Sequence, residues 1–454
     1  MVGGSGQWLW SSGRSTDSLF WWGSPVSDAI KAERLHRTAR YPYLVLFLLG
    51  IIYMLNYLDR QIIAILAQSI KQDLQLSDTQ LGLLSGFAFA LVYTLLGIPI
   101  AWLADRTSRV RIVAIACAVW SFFSMLCGAA SGFASLALAR TGVGAGEAGG
   151  VPPSHSLIAD YFPPEKRGAA IALHSLGLPI GATIGIAFGG AVAAHYGWRT
   201  AFVAVGAPGF LAALALWLVV REPQRGGTDP GASDMLEGAS LLASFRTFQR
   251  SRTLLLLLVA AAAYSFVFTG FASWAPAMLM RTKGMSMSDI AAYYSIVSGS
   301  AMTLGMLASG YLTGRLGHNQ RAYLTVPSWA MICGLPFYVI GMLSTSWQVA
   351  LACLAVPMTT NMMYLAPATA IVQNSVPANQ RSTAAAILLF VLNIFGTGLG
   401  PLYVGVLSDW LEPSLGTRAL RMAMLGLVPF FPIAAISLYF VGRSIPARGS
   451  EIKP

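Results

Sequence analysis

From Pro42 onward the chain is a succession of apolar runs, each about as long as the roughly 20 residues a helix needs to cross a bilayer. The runs fall near 42–66, 78–103, 111–130, 133–160, 168–194 and 200–220. After a polar stretch they resume near 254–280, 287–313, 322–343, 347–374, 382–407 and 420–442. Length alone, at 454 residues, would suggest two or three soluble domains. Charge overrides that expectation. Only 10% of residues are charged, against about a quarter in an ordinary soluble domain, and such a chain cannot stay dispersed in water. The expected fold class is an all-α membrane protein of twelve transmembrane helices.

The net charge of +11 does not point to nucleic acid, because the basic residues cluster between apolar runs as they do in cytoplasmic loops. On the side holding the N-terminus there are 21 Lys and Arg, against 6 on the other, with Arg60 and Arg140 inside runs. That bias puts both termini in the cytoplasm, and the plasma (inner) membrane is the expected location if the chain is bacterial. The leader, 1–41, holds Trp8, Trp10, Trp21 and Trp22 among Ser and Gly, then a basic stretch through Arg40. It has no apolar core of a signal peptide and is expected to be disordered, with an interfacial helix as the alternative. Cys117, Cys127, Cys333 and Cys353 all lie in apolar runs and read as small buried residues, without disulfide or metal spacing.

Residues 221–252, with Pro223, Gly226, Gly227, Pro230 and five arginines, divide an N-terminal six-helix half, 42–220, from a C-terminal half, 253–445, and a tail, 446–454. The halves repeat one another. Pro153 to Arg167 aligns with Pro367 to Arg381 at a constant offset of 214, and Leu103–Arg106 faces Leu312–Arg315 at 209. Parallel repeats of six spans mark one large transporter class.

Charge inside a span is costly and defaults to function. The cases are Asp59, Arg60, Arg140 and Glu147, all in the first half; Asn361 stands where the second half would have Glu147. Arg140 and Glu147, seven apart, share a helix face, and Asp59 and Arg60 fall at about the depth of Arg140. Two acids and two bases can form a neutral cluster. Either it merely holds two helices together, or it couples a proton to transport through Asp59 and Glu147. An arginine drawn towards a bound anion leaves its acid free to take a proton, and Arg60 and Arg140 suit a phosphate or carboxylate. The second half offers Tyr264, Phe266, Phe268, Phe271, Trp274, Met362, Met363, Tyr364 and Phe390, of which a minority are expected to touch substrate. An anionic head would lie by Arg60 and Arg140, with an apolar tail near Asn361 and Tyr364.

Other motifs carry less. Gly144 to Gly149 spells G-x-G-x-x-G, but midway along an apolar span, where small residues serve close helix packing rather than a dinucleotide. No Walker A sequence exists, so ATP is not the energy source. His155 and His174 read first as hydrogen-bonded interface histidines and second as proton relays. A membrane hydrolase built on Ser154 and His155 fails on geometry, since neighbours in a helix point about 100° apart. A channel lacks a ring of like charges.

The run Gly97-x6-Ala-Asp105-Arg106-x-x-Arg109-x-Arg111 resembles the loop motif of the major facilitator superfamily, and Arg140 resembles its fourth-span arginine. The resemblance implies that Asp105, with Arg106 and Arg109, forms a latch to the far half near span eleven in the outward-open state; Gly314 replaces that acid in the second copy. More narrowly, Asn56-Tyr-Leu-Asp-Arg60, Arg140-x3-Gly-x-Gly-Glu-Ala148 and Asp160 to Gly168 resemble the spinster family over roughly residues 42–445. That family implies transport of lysophospholipids and sphingosine-1-phosphate, proton-coupled in some members, with Asp59 and Glu147 as the acids and Arg60 and Arg140 beside them. The same short motifs occur in proton-coupled organic-anion transporters, so a sugar-acid symporter is the alternative. The expected partners are a lysolipid or small-molecule substrate, protons and the bilayer, for a monomer without cofactor or metal.

Overall fold

The computed structural model describes residues 40–225, 241–316, 320–377 and 380–444. The expected leader up to residue 39, much of the linker and the tail lie outside the described residues. Residues from Val45 onward belong to one compact unit. No strand occurs among the described residues. The first helices are α1 (Tyr41–Leu74), α2 (Asp78–Ala104), α3 (Arg109–Cys127), α4 (Phe133–Glu147), α5 (Val151–Tyr161), α6 (Pro164–Ser175) and α7 (Gly177–Val219). Beyond the linker come α8 (Leu241–Arg250), α9 (Arg252–Lys283), α10 (Met287–Leu316), α11 (Gln320–Leu343), α12 (Trp347–Met362), α13 (Leu365–Asn374), α14 (Arg381–Val391), α15 (Gly400–Leu415), α16 (Ala419–Leu425) and α17 (Phe430–Ser444).

Nine stretches among the described residues are long and apolar enough to cross a membrane. Two of them, Pro164–Val219 with 56 residues and Thr383–Ser444 with 62, are not single straight rods. At about 1.5 Å per residue they would reach about 84 and 93 Å, far beyond a hydrocarbon core of about 30 Å. Gly197, at φ 81°, and Gly416, at φ 53°, turn the chain in the left-handed region that glycine alone adopts cheaply. Turns therefore alternate between two ends of the bundle. One end, here called the Ser77 end, carries 75–77, 128–132, Gly197, 284–286, 344–346 and 416–418; the Arg109 end carries 105–108, 162–163, 220–225 and 375–377.

The run over 133–160 is not one helix: α4 stops at Glu147 and α5 starts at Val151. Pro152 and Pro153 lack the N–H that would continue α4, and their rings clash with carbonyls four residues back. The run over 347–374 breaks likewise between Met362 and Leu365, with Pro367 in the place of Pro153. The repeat also reaches the helix starts. Ser77 and Ser286, 209 apart, each cap their helix in a reciprocal capping box, with Gln80 and Asp289. A π-helical turn follows in both, over Leu83–Phe87 and Ile290–Tyr294.

Close approach, not phosphate binding, accounts for the glycine run of α4. A Cβ on Gly146 would lie 2.5 Å from the backbone nitrogen of Trp120 in α3. The same crowding holds α2 to the turn before α15, where a Cβ on Gly86 would lie 2.5 Å from the Thr397 carbonyl oxygen. The cysteines correct one expectation. Cys117 and Cys127 are buried, but Cys333 is exposed and Cys353 half-buried, because an apolar side chain on a membrane helix needs no protein partner to escape water. Gly146→Ala should lower stability by about 1–3 kcal/mol, since backbone cannot yield as a side chain does. Gly168→Ala, on the exposed face of α6 with nothing within 4 Å, should be neutral or stabilising. Thermal melts of the two purified variants measure the contrast.

Candidate functional site

The four charges inside spans meet. Arg60 Nε donates to Glu147 Oε2 at 2.6 Å, and Arg140 Nη1 donates to Asp59 Oδ2 at 3.4 Å. The Ser124 hydroxyl of α3 donates to the other Asp59 oxygen. Asp59, Arg140 and Glu147 are all buried, Glu147 at 0% exposure, whereas the Arg60 side chain keeps 18%. Tyr57, Phe89 and Tyr93 surround the Arg60 guanidinium with ring centroids 4.9–5.1 Å away, and Phe89 also faces Arg140 at 5.6 Å. These ring faces are attractive to a cation and replace some of the water it has lost.

Arg60 and Arg140 line a cavity of about 220 Å³ together with Tyr57, Gln61, Ser85 and Phe89. Facing them are Ser265, Phe268, Thr269, Asn361, Met362 and Tyr364. All four residues expected to contact substrate therefore share one space, and the two acids sit behind the arginines. Asn361 donates to the Tyr264 carbonyl at 3.3 Å, leaving its own Oδ1 buried without a partner, as is Glu147 Oε1. Tyr364 stacks on Tyr264 at 4.3 Å. Of the other aromatic and Met candidates, Phe268 and Met362 line the cavity. Phe266, Phe271 and Trp274 pack within the second half, Trp274 donating to the Pro401 carbonyl, and Phe390 is exposed.

Two expectations change. His174 is not a hydrogen-bonded interface histidine: it is 1% exposed and neither ring nitrogen has a partner. Arg109 does not sit with Asp105. It is buried and donates to Glu222 at 2.7 Å, Asp160 at 2.5 Å and Ser156 at 2.8 Å, tying α3 to α5 and to the start of the linker. Burial pushes the Glu222 carboxyl up, but the Val110 N–H, Arg109 and Ser108 outweigh it and hold the group below the usual range. Asp105 is exposed and has no ion-pair partner among the described residues; Arg106 lies over the Trp102 ring at 4.0 Å. Ser154 donates to the Gly150 carbonyl at 2.7 Å, so its hydroxyl is committed to its own helix.

A second cluster, at the Ser77 end, was missed. Asp78 accepts from Lys71 at 2.7 Å, from Arg281 at 2.8 Å and from Ser408 at 2.6 Å. Asp409 of α15 accepts from the Asp78 and Thr79 N–H groups at 2.9 and 2.7 Å, and Arg281 also donates to Gln68. Residues from α1, α2, α9 and α15 are thus locked around one carboxylate. Asp78 looks in sequence like an ordinary first-turn acid, and its partners lie 203 and 330 residues away. Met287 fills the same place in the second copy, so the lock is one-sided.

The family profile described as Major Facilitator Superfamily matches residues 49–401. The chain belongs to that superfamily. It is a multi-pass integral membrane protein of the spinster-like kind. A bacterial homologue of the human lysosomal transporter spinster, solved in an inward-facing and unoccupied conformation, superimposes with a TM-score of 0.82 at 32% identity, covering 90% of this chain and 98% of that one. An MFS-type efflux pump of Mycolicibacterium smegmatis is 34% identical over 397 residues, 87% of this chain and 91% of the relative. A hexuronate transporter of Bacillus subtilis is 27% identical over 380 residues, 81% and 87% respectively.

The Asp78 cluster ties α1 and α2 to α9 and α15 at the Ser77 end, seven residues along α2 from Ser85, which lines the cavity. In Asp78→Asn, a cysteine placed at Ser85 should react several-fold faster with an impermeant maleimide supplied from that end. An unchanged rate would show that the cluster does not govern access.

Proposed function

We propose that the chain is a proton-linked secondary active transporter of an amphipathic anion such as a lysolipid, working by alternating access. The twelve spans then form two six-helix halves, 42–220 and 253–445, with the Arg109 end and both termini in the cytoplasm. The 21-to-6 bias of basic residues supports that orientation. The Asp78 cluster is then an outer gate, closed, and Asp105 is an inner latch, open. On the outward-open side of the cycle Asp105, helped by Arg106, engages the second half near span eleven.

One observation carries the mechanism: Arg60 is shared between a fully buried acid and the cavity. Its Nε holds Glu147, while the side chain keeps 18% exposure and lines the cavity, so that its Nη donors are within reach of a ligand there. An entering carboxylate or phosphate takes those Nη donors in a two-pronged contact. Glu147 then loses its counter-charge at a position with no exposed surface, which a carboxylate tolerates only by accepting a proton. Arg140 and Asp59 repeat the arrangement one layer deeper, steadied by Ser124. Proton and anion thus occupy the site together. The aromatic and Met wall opposite receives an apolar tail.

The sugar-acid reading keeps the same machinery and changes the cargo. It is favoured by the small cavity, by the polar lining of Gln61, Ser265, Thr269 and Asn361, and by the likeness to a hexuronate transporter.

Asp59→Asn and Glu147→Gln should each keep the fold but flatten the pH dependence of uptake into proteoliposomes. Wild-type pH profiles in both would remove the acids from the coupling. A lysophosphatidylglycerol series of increasing chain length decides the cargo. Each buried methylene contributes about 0.8 kcal/mol, so affinity by thermal shift should rise roughly fourfold per methylene until the cavity is full. Flat affinity, with tighter binding of glucuronate or galacturonate, would favour the sugar-acid reading.

A further inference from the structure

A row of titratable rings leads from the Arg109 end to the charge cluster. His155 of α5 meets His174 of α6 edge-on, with centroids 5.2 Å apart, and His174 stacks on Tyr53 of α1 at 4.5 Å. Tyr53 meets Tyr57 at 5.1 Å, and Tyr57 is one of the rings around Arg60, the residue holding Glu147. Depth increases at every step. At about 1.5 Å per residue, His155 lies about 9 Å from the Tyr161 end of α5 and His174 about 15 Å from the Pro164 start of α6. Tyr53, Tyr57 and Arg60 lie about 18, 24 and 28 Å from the Tyr41 start of α1.

The row follows the wall of the cavity. Tyr57 and Leu178 line it. Tyr53 lies four residues before Tyr57 on α1, hence on the same face one turn nearer the Arg109 end, and His174 lies in the last turn of α6, just before α7 begins and brings Leu178 to the cavity. Packing alone does not explain His174. Both of its nitrogens are buried without a hydrogen bond, which is costly, and a phenyl ring would stack on Tyr53 without that cost. Among the described residues no carboxylate acts on either imidazole. Their titratable neighbours are each other and Tyr53, and Tyr53 itself faces Tyr57, Arg60 and Tyr93.

We propose that His155, His174, Tyr53 and Tyr57 carry protons between the cytoplasmic face and Glu147, a path that rests on the proton-linked function proposed above. Each imidazole binds a proton at its free nitrogen and releases the one on the other. Each phenol oxygen accepts a proton as it gives up its own, with hydroxyl rotation or a bridging water completing the step. One proton enters at His155, one O–H bond forms on the Glu147 carboxylate, and no net charge remains along the row. The last transfer occurs when Arg60 turns from Glu147 to the bound anion. The path therefore delivers only when substrate is in place or Glu147 is otherwise uncovered.

The test is a pH jump on the purified full-length protein with lysophosphatidylglycerol or glucuronate present, followed by the infrared carbonyl band of protonated Glu147, which Glu147→Gln should remove. His174→Phe keeps the stack on Tyr53 and should slow the appearance of that band at least tenfold without changing its final size. Added azide or imidazole should restore the rate. Tyr53→Phe should slow it equally, and serves alone if His174→Phe does not fold. Unchanged rates in these variants would overturn the path and leave the proton-linked function standing. Slowing that neither azide nor imidazole relieves would mark a packing defect and also overturn it. A band that survives Glu147→Gln would belong to another carboxyl group, and would overturn the path to Glu147 while leaving proton coupling through Asp59 to its own test.

Discussion

Glu147 has no exposed surface and lies in a bundle whose surroundings are hydrocarbon, so its charge is bearable only beside Arg60, 2.6 Å away. Much of the first half follows from keeping that pair together. α1 and α4 must come within side-chain reach, and α4 must also lie close to α2 and α3. Glycine provides this at Gly146, where Trp120 backbone leaves no room for a Cβ, and at Gly144, where a Cβ would lie 3.0 Å from the Phe89 carbonyl. Close approach in turn brings the Phe89 ring against both guanidinium groups. Arginine suits the role better than lysine, because its planar fork can hold an acid through one edge while offering the other to a ligand.

The four charges were legible because so few residues in the apolar runs carry charge, and each such exception is expensive enough to need a reason. Their pairing was not legible. It depends on how α1 and α4 are rotated about their axes, which periodicity in a nearly uniform apolar run does not define. The proline at the same place in both copies was visible at Pro153 and Pro367, yet its consequence, a break directly after Glu147 and near Asn361, needed the structure. Asp78 was hidden for a different reason. An acid in the first turn after a Ser cap is ordinary helix chemistry, and nothing local marks one that also gathers Lys71, Arg281 and Ser408. His174 was read as hydrogen-bonded because most buried polar groups are, and the exception appears only when its partners are sought in three dimensions.

The two copies share their scaffold and divide their chemistry. Capping boxes at Ser77 and Ser286, the π-turns that follow, and the breaks near Glu147 and Asn361 recur at the same places. The ion pairs at the cavity, Arg60–Glu147 and Arg140–Asp59, lie within the first copy, and the cavity wall of the second is built from Phe268, Asn361, Met362 and Tyr364. A symmetric scaffold lets two similar bodies rock against each other, and asymmetric linings give a ligand a polar and an apolar side. The charged side keeps its geometry through internal pairs, so on the proposed mechanism ligand contact changes partners there without creating bare charge.

Both acids proposed as latches belong to one helix. Asp78 is the first residue of α2, and Asp105 caps its last turn at the opposite end. Between them, Gly86 presses on the Thr397 carbonyl with no space for a Cβ, a contact too tight to slide. Gly86 lies eight residues from Asp78 and nineteen from Asp105, about 12 and 28 Å along the helix. A rigid tilt of α2 about that contact therefore moves the Asp105 end roughly twice as far as the Asp78 end, and in the opposite direction. In this arrangement Asp78 is fully engaged, while Asp105 has no ion-pair partner among the described residues. On the proposed cycle, the tilt that brings Asp105 to the second half is the one that draws Asp78 away from Arg281 and Ser408. A single helix pinned off-centre thereby makes closure at both ends mutually exclusive, which is the requirement of alternating access.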